Sequence, residues 1–407
     1  VSKTADKLDW TGRRVEVIVG PVAHGGHCVA RHDGRVIFVR HSLPGERVIA
    51  EITEDTGGSF CRADAITVLE ASAGRVERPC AASGPRGCGG CDWQHADAHT
   101  QRALKADVVA EQLRRLAGID WPVEVEALPA TGPRELEGWR TRTRLAVDGS
   151  GNLGFRLHRS HEIIPVDDCT IAVRGALPPL TGQDWPSGAE VDVCVDGEGT
   201  LHVQGIAEDG TAQVAGSGVA VQFAAGRRWK VNAHGFWQVH PAAADTLAGV
   251  VAEMARAPKG GIAWDLYGGA GLFASVLAEQ VGPRGNVFVV ESNTQAIADG
   301  RASLADLPNV HFTTGRVDNS LGRGILARGK PSVVVLDPPR KGAGRSVVDA
   351  IAAKTPARVV YVACDPAALA RDIALFAGHG YELTQLRAFD AFPMTHHVEC
   401  VALLSAR

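Results

Sequence analysis

The 407-residue sequence predicts a multidomain α/β chain: an OB-like β-barrel, a central mostly-β domain carrying a cysteine loop, and a C-terminal Rossmann-like domain. Three observations carry that prediction. Residues 11–70 alternate apolar and polar side chains at period two, in short runs separated by the turn signals Asp33-Gly34 and Pro44-Gly45. Residues 120–235 are again rich in β-branched residues and turns, with no long helical pattern. From Ala242 onward, apolar runs alternate with Ala-rich segments of helix length, the pattern of a parallel sheet covered on both faces.

Composition excludes several classes. Hydrophobic residues at 45% and charged residues at 22% rule out a mainly disordered or coiled-coil chain. Lys plus Arg total 42 against 46 for Asp plus Glu, so the net charge of −4 excludes a globally basic nucleic-acid coat and any such contact has to be local. No apolar run reaches the roughly 18–20 residues of a membrane span, and the leading VSKTADKLDW lacks an apolar signal core. A soluble, cytoplasmic protein with no membrane partner is expected. Nine cysteines, an odd number in a reducing compartment, point to metal, cluster or nucleophile chemistry rather than disulfides.

Each element follows in order. Val15, Val17 and Val19, then RVIFV, then ERVIAEI read as strands of a small antiparallel barrel, a form used for oligonucleotides but also for much else. A Gly/Pro-rich loop carries Cys80, Cys88 and Cys91; with Cys169 they make a four-thiolate set for an iron–sulfur cluster or an all-cysteine zinc site, which spacing does not separate. Cys28, Cys61, Cys194 and Cys400 read as core residues. Residues 95–118 read as a helix with Leu104, Val108, Leu113 and Leu116 on a rough apolar stripe. In GWRTRTRL, period two places Arg140, Arg142 and Arg144 on one strand face, either a solvated face or a stripe that tracks phosphates.

In the C-terminal part, GGIAWDLY, NVFVVE, PSVVVLD and ARVVYVAC each end an apolar run. Ligands of open α/β sheets bind outside the carboxyl ends of the strands, so one rim should collect Gly269, Gly271, Glu291, Asp337 and Cys364. Gly269, Gly271 and Ala274 fit G-x-G-x-x-G/A, and Glu291 lies 22 residues after Gly269, where an acid can accept ribose hydroxyls. Asp265 just before the glycines favours S-adenosylmethionine over NAD. Arg340 and Lys341 are placed to favour a Cys364 thiolate, and the neighbouring Asp365 to oppose it. Near the C-terminal end, Glu399 interrupts an extended apolar run, as an edge-strand surface residue or as a buried carboxylate with a function.

Together these stretches resemble the S-adenosylmethionine-dependent RNA uracil-C5 methyltransferases, which make 5-methyluridine in ribosomal and transfer RNA. The resemblance spans nearly the whole chain. It implies a TRAM barrel over residues 8–70, a central β domain over 71–94 and 120–235, and a methyltransferase domain over 95–119 and 236–407, with the helix at 95–118 packed on the latter. CGGCDWQH with Cys80 and Cys169 resembles the family's [4Fe-4S] site. KVNAHGFWQVHP, DLYGGAGLF, VVES, LDPPRKG, ACDPAALARD and AFPMTHHVE follow in the family's order. By position, Gln238, Tyr267, Glu291 and Asp337 match donor contacts, Cys364 the nucleophile and Glu399 the proton acceptor. The implied partner is RNA, held by the barrel and the Arg140/Arg142/Arg144 face, with 23S ribosomal RNA favoured and transfer RNA as the alternative; a monomer is expected.

Four departures stand out. Seven residues separate Cys80 from Cys88 where many members have five, Gly268 replaces a frequent Cys, His240 a frequent Asn, and Asp365 a frequent Asn. The last admits a cytosine-C5 methyltransferase as a rival, since protonated cytosine N3 could face a carboxylate. A non-catalytic, zinc-stabilised RNA-binding protein and an NAD-linked oxidoreductase are further alternatives; both leave Cys364 without a task.

Overall fold

A computed structural model describes residues 9–130, 132, 134–321 and 329–407; residue 8, the expected start of the barrel, lies outside them. The first five strands are β1 (Arg14–Ile18), β2 (Cys28–His32), β3 (Arg35–Arg40), β4 (Arg47–Asp55) and β5 (Phe60–Glu70), in the order β1-β4-β5-β3-β2. The chain beyond β1 returns to β2, where the Gly20 N–H donates to the Val29 carbonyl at 2.7 Å and the Val29 N–H to the Pro21 carbonyl at 2.9 Å, so the sheet closes. Alternation sends Val15, Val17, Ile37, Val39, Val48 and Ile52 inward. Closure leaves no edge exposed to pairing with another chain.

Helix α1 (Ala98–Gln112) begins at Asp97, whose carboxylate accepts the Thr100 N–H, and ends in a wide turn at Leu113–Ala117. Its apolar residues serve two cores: Leu104 and Val108 join the barrel interior with Trp93, whereas Val109 and Leu113 pack into the C-terminal domain. The single stripe of the sequence thus divides into two.

The central sheet contains β7 (Arg142–Val147), β8 (Leu153–Arg156), β9 (Ile163–Pro165), β10 (Glu190–Val195), β11 (Leu201–Ala207) and β12 (Gly210–Ala215), ordered β12-β11-β10-β7-β8-β9. Two pieces expected there lie elsewhere. Strand β6 (Val125–Ala127) pairs with the far edge of the C-terminal sheet. The hairpin β13 (Val219–Ala224) and β14 (Arg227–Asn232) buries Ala220, Trp229 and Val231 against Trp237, Ala244 and Leu304 of the C-terminal part, because a two-stranded ribbon has no core of its own.

The remaining elements are α2 (Ala243–Ala255), β15 (Ile262–Leu266), α3 (Leu272–Val281), β16 (Asn286–Glu291), α4 (Thr294–Ser303), β17 (Val310–Thr314), α5 (Val317–Ser320), β18 (Val333–Leu336), α6 (Arg345–Ala352), β19 (Arg358–Ala363), α7 (Pro366–Ala377), β20 (Tyr381–Asp390) and β21 (Glu399–Ala406). Their sheet runs β17-β16-β15-β18-β19-β21-β20-β6. Strands β15 to β19 are parallel, and the order reverses at β15, where a crevice opens at the carboxyl ends. Strand β21 is antiparallel to β19, with Cys400 opposite Ala363, so its first residue, Glu399, lies at the end of the sheet where β19 finishes. Among the described residues no helix is long and apolar enough to cross a membrane.

Candidate active site

One cleft of about 1350 Å³ lies over the switch point of this sheet. Its wall includes Gln238, Tyr267, Gly269, Glu291, Asp337, Cys364 and Glu399, so every residue expected to bind the donor or act in the chemistry, except Gly271, faces one space.

The glycine loop is built for close approach. Tyr267 and Gly269 have φ of 61° and 53°, a left-handed backbone that glycine adopts freely and tyrosine does not. A Cβ on Gly268 would come within 2.6 Å of Val289 and 2.9 Å of the Asp265 carboxylate, so the larger Cys frequent at this position has no room. A Cβ on Gly269 would meet no protein atom within 4 Å, and there the cleft is open for a ligand. Gly271 sits instead behind the loop, where a Cβ would reach Leu304 and Phe312 at 3.0 Å; it allows α3 to pack and does not line the cleft. Asp265 accepts the Ala274 N–H at 2.8 Å from the first turn of α3, and burial pushes its carboxyl up to about 7. At the end of β16, Glu291 accepts the N–H groups of Ser292 and Asn293, both at 2.6 Å, and that of Gly269 at 3.1 Å. These bonds fix a carboxylate toward the cleft in the position that suits ribose hydroxyls. The open glycine loop, the anchored acid and Gln238 therefore fit an adenosyl donor.

Cys364, Asp337 and Glu399 form one electrostatically coupled trio. Cys364 follows β19 directly, and burial, Glu399 and Asp337 together push its thiol up to about 11, with Arg340 pulling the other way. Burial raises the Asp337 carboxyl to about 7, and burial beside Asp337 holds Glu399 well above the carboxylate range. Two buried acids this close cannot both ionise cheaply, so the pair keeps a proton near neutrality. Glu399 is buried at a strand end, which removes the reading of a surface edge residue.

Asp365 is paired. Its carboxylate caps α7 by accepting the Ala368 N–H at 2.7 Å and lies 3.0 Å from His24 Nε2 of the barrel. Burial works against the charge, yet the His24 and Ala368 contacts outweigh it and hold the carboxyl below its ordinary range. Its charge is spent on these partners, and Asp365 is not among the groups that raise the Cys364 thiol. His240, the other departure, stacks on Trp139 and accepts the Ala242 N–H at 3.2 Å, a packing role behind the cleft.

The three arginines expected on one strand face differ in their surroundings: strand β7 lies between β10 and β8, and the Arg142 guanidinium nitrogens are buried without a hydrogen-bond partner. Arg144 pairs with Asp192 at 2.6 Å and with Glu190 at 3.4 Å. Arg142 is largely buried across from Cys194, and burial lowers its guanidinium. Arg140 precedes the strand and borders the cysteine pocket. Cys80, Cys88, Cys91 and Cys169 do converge on that pocket, all as free thiols, beside Phe155, Val166 and Ile171. Among the described residues, no three His, Cys, Asp or Glu side chains are grouped as a ready-made site for a metal ion.

The cleft also exposes what the sequence reading missed. Phe236, two residues before Gln238, is 79% exposed on the cleft wall, and His397 and Phe392 reach it from the segment after β20. The signal for Phe236 was its place in the motif segment; its exposure could be learned only from the fold.

Comparison with known proteins agrees with this geometry. Residues 315–407 match the family described as tRNA (Uracil-5-)-methyltransferase, and residues 10–65 match the TRAM domain. The chain is 44% identical to an uncharacterized RNA methyltransferase of Streptomyces avermitilis, covering 97% of this chain and 98% of that one. It is 36% identical to another from Corynebacterium glutamicum, over 96% and 97%. The fold is that of the Pyrococcus abyssi tRNA (uracil-54, C5)-methyltransferase crystallised with S-adenosyl-L-homocysteine, with a TM-score of 0.71, 22% identity, and coverage of 95% and 99%. With its switch-point cleft and its N-terminal TRAM domain, the chain belongs to the S-adenosylmethionine-dependent RNA (uracil-5-)-methyltransferases.

Proposed function

We propose that this enzyme methylates C5 of one uridine in 23S ribosomal RNA through a covalent adduct between Cys364 and C6. The observation that carries the reading is the shared cleft: a thiol, a proton-holding carboxylate pair and an adenosyl-shaped loop face one space. Uracil C5 is a weak nucleophile; once the Cys364 thiol has lost its proton to solvent, addition of the thiolate at C6 loads carbanion character onto C5. When bound, S-adenosylmethionine supplies an electrophilic methyl group there. Once Glu399 has released its own proton to solvent, its carboxylate accepts the C5 proton, the electron pair re-forms the C5–C6 double bond, and the Cys364–C6 bond breaks to return the thiolate. Arg340 supports the thiolate, and the exposed ring of Phe236 offers a stacking surface for a base taken out of its helix.

The family description names transfer RNA, and this favours a tRNA uridine as the second reading. Mass mapping of 5-methyluridine in cells lacking the protein separates the two: loss from 23S RNA supports the first, loss from tRNA the second. Finding only 5-methylcytidine lost overturns both. In vitro, 5-fluorouridine RNA with the donor should trap a stable adduct on the wild type and none on Cys364→Ala.

Among the described residues, Cys80, Cys88, Cys91 and Cys169 line one pocket without being grouped as a finished metal site, and the resemblance to the family supports the reading that, drawn together, they would hold a [4Fe-4S] cluster of structural role. Anaerobically purified protein should be brown, with roughly four irons per chain. A colourless protein with one zinc refutes this.

A further inference from the structure

The turn that carries Arg340 to the cleft is fastened by two groups from the strand and the helix that flank Cys364. After Asp337 the chain runs through Pro338 and Pro339, and the Gly342 N–H donates to the Pro339 carbonyl at 2.7 Å. Arg340 and Lys341 are therefore the two corner residues of a tight turn on the cleft wall. Behind the corner, Gly342, Ala343 and Gly344 lie against Asp372 of α7. Its carboxylate accepts the Ala343 N–H at 2.7 Å and the Gly344 N–H at 3.3 Å, and the Tyr361 hydroxyl of β19 donates to it at 2.6 Å. The Ala343 N–H also reaches the Tyr361 oxygen, at 3.2 Å. Gly342 has a φ of 86°, and a Cβ there would come within 2.7 Å of the Asp372 carboxylate, so glycine lets the turn sit this close.

Asp372 and Tyr361 are both buried. A buried carboxylate is costly unless its oxygens are filled, and here neutral donors fill them. Burial and Asp372 push the Tyr361 phenol far up, which keeps it a donor. Among the described residues neither side chain lines the cleft, yet Tyr361 lies three residues before Cys364 on β19, and Asp372 lies on the helix that Asp365 caps. The turn is thus tied to the same unit that presents the sulfur. At the corner, the Arg340 guanidinium donates toward His397 Nε2 at 3.3 Å, and its charge favours the Cys364 thiolate against burial, Glu399 and Asp337. A charge on a long side chain acts at full strength only where its backbone is fixed.

We propose that Asp372, braced by Tyr361, is a positioning residue that holds this turn so that Arg340 faces the Cys364 sulfur. Its use in methyl transfer rests on the proposed reaction, whereas its action on Arg340 needs no RNA, and the two are read separately.

The test is the rate at which iodoacetamide alkylates Cys364 in the full-length protein at a fixed pH of about 9, located by peptide mass mapping, with the thiol still mostly protonated. Arg340→Ala should slow it about tenfold, the effect of roughly one pKa unit. Asp372→Asn sets an amide NH₂ against backbone N–H groups and should slow it about three- to tenfold, and Tyr361→Phe about twofold. In the Arg340→Ala background both substitutions should have no further effect, because the group they position is gone. General loosening would act in both backgrounds. Affinity for S-adenosylmethionine, by calorimetry, should stay within about twofold, because Asp337 is anchored separately, its N–H donating to the Leu266 carbonyl at 3.2 Å. The proposal is overturned if Asp372→Asn and Tyr361→Phe alkylate as fast as the wild type or faster, if they slow the Arg340→Ala protein equally, if Arg340→Ala has no effect, or if donor affinity falls in parallel. Should Asp372→Asn not fold, Tyr361→Phe decides by the same comparison. Adduct formation on 5-fluorouridine RNA should slow in the same ratios. No adduct on the wild type, with the alkylation pattern intact, removes the proposed reaction and leaves the positioning role standing.

Discussion

Cys364 occupies a position that usually lowers a thiol pKa, at the start of a helix, and yet its thiol lies near 11. Burial and two acid neighbours outweigh the helix and Arg340, so the sulfur is held as a thiol near neutral pH. Alkylation of Cys364, followed by peptide mass mapping against pH, should show a midpoint near 11 in the ligand-free enzyme. Glu399→Gln removes a negative neighbour and should move that midpoint down; an unchanged midpoint would break the link. The same substitution removes the proton acceptor, so turnover should fall by about 10²–10⁴-fold while the covalent RNA adduct accumulates. Adduct formation without accumulation would place the base elsewhere.

At the scale of elements, the segment between β20 and β21 decides where Glu399 and His397 stand, and it is held by residues much earlier in the chain. Lys105 of α1 is fully buried and donates to Asp390 at 2.5 Å and to the Phe392 carbonyl at 3.0 Å, while Gln101 accepts the Met394 N–H at 2.6 Å. Asp92, the residue after Cys91, accepts both the N–H and the imidazole Nδ1–H of His396, at 3.0 and 2.6 Å. The cysteine loop is therefore fastened to the catalytic segment by one carboxylate, and a misplacement of about 1 Å in a catalytic group can cost 10²-fold in rate. Asp92→Asn should lower kcat by about 10–100-fold and leave the affinity for S-adenosylmethionine, measured calorimetrically, unchanged, because Gln238 and Glu291 hang from other elements. Equal loss of both would mean general unfolding of the cleft instead.

For the whole molecule, the junction of barrel, cysteine loop and catalytic domain is a place of buried histidines. Burial lowers His27, His41, His95, His158, His240 and His397 to between about 2 and about 4. A group whose folded pKa is depressed gives stability above its unfolded value, near 6.5, and loses it as the pH falls toward the folded value. The raised carboxyls of Asp265, Asp337 and Glu399 have the opposite sign: their contribution is present at low pH and fades as the pH rises toward and beyond about 7. More histidines than carboxyls are involved, so the melting temperature should fall from pH 6.5 to pH 4.5, earlier than titration of ordinary carboxylates would cause. A flat profile across that window would show that the histidines protonate without opening the junction.

The sequence by itself determined the N-terminal barrel, the parallel strands of the C-terminal sheet and the glycine loop with the acids and cysteine that follow those strands, because those features are local: periodicity, turn residues and motif order act over a few neighbouring residues. It left open the surroundings of Arg140, Arg142 and Arg144, since a period-two stripe does not say which guanidinium meets a carboxylate, as Arg144 does at Asp192, and which is buried without a partner, as Arg142 is. Nor could it give the burial of Glu399, which follows from β21 running against β19. The pairing of Asp365 with His24 joins residues 341 positions apart, and only the docking of the barrel on the catalytic rim creates it. Residue type and spacing set which chemistry the chain carries, whereas strand direction and domain contact set which of its charges remain free to act.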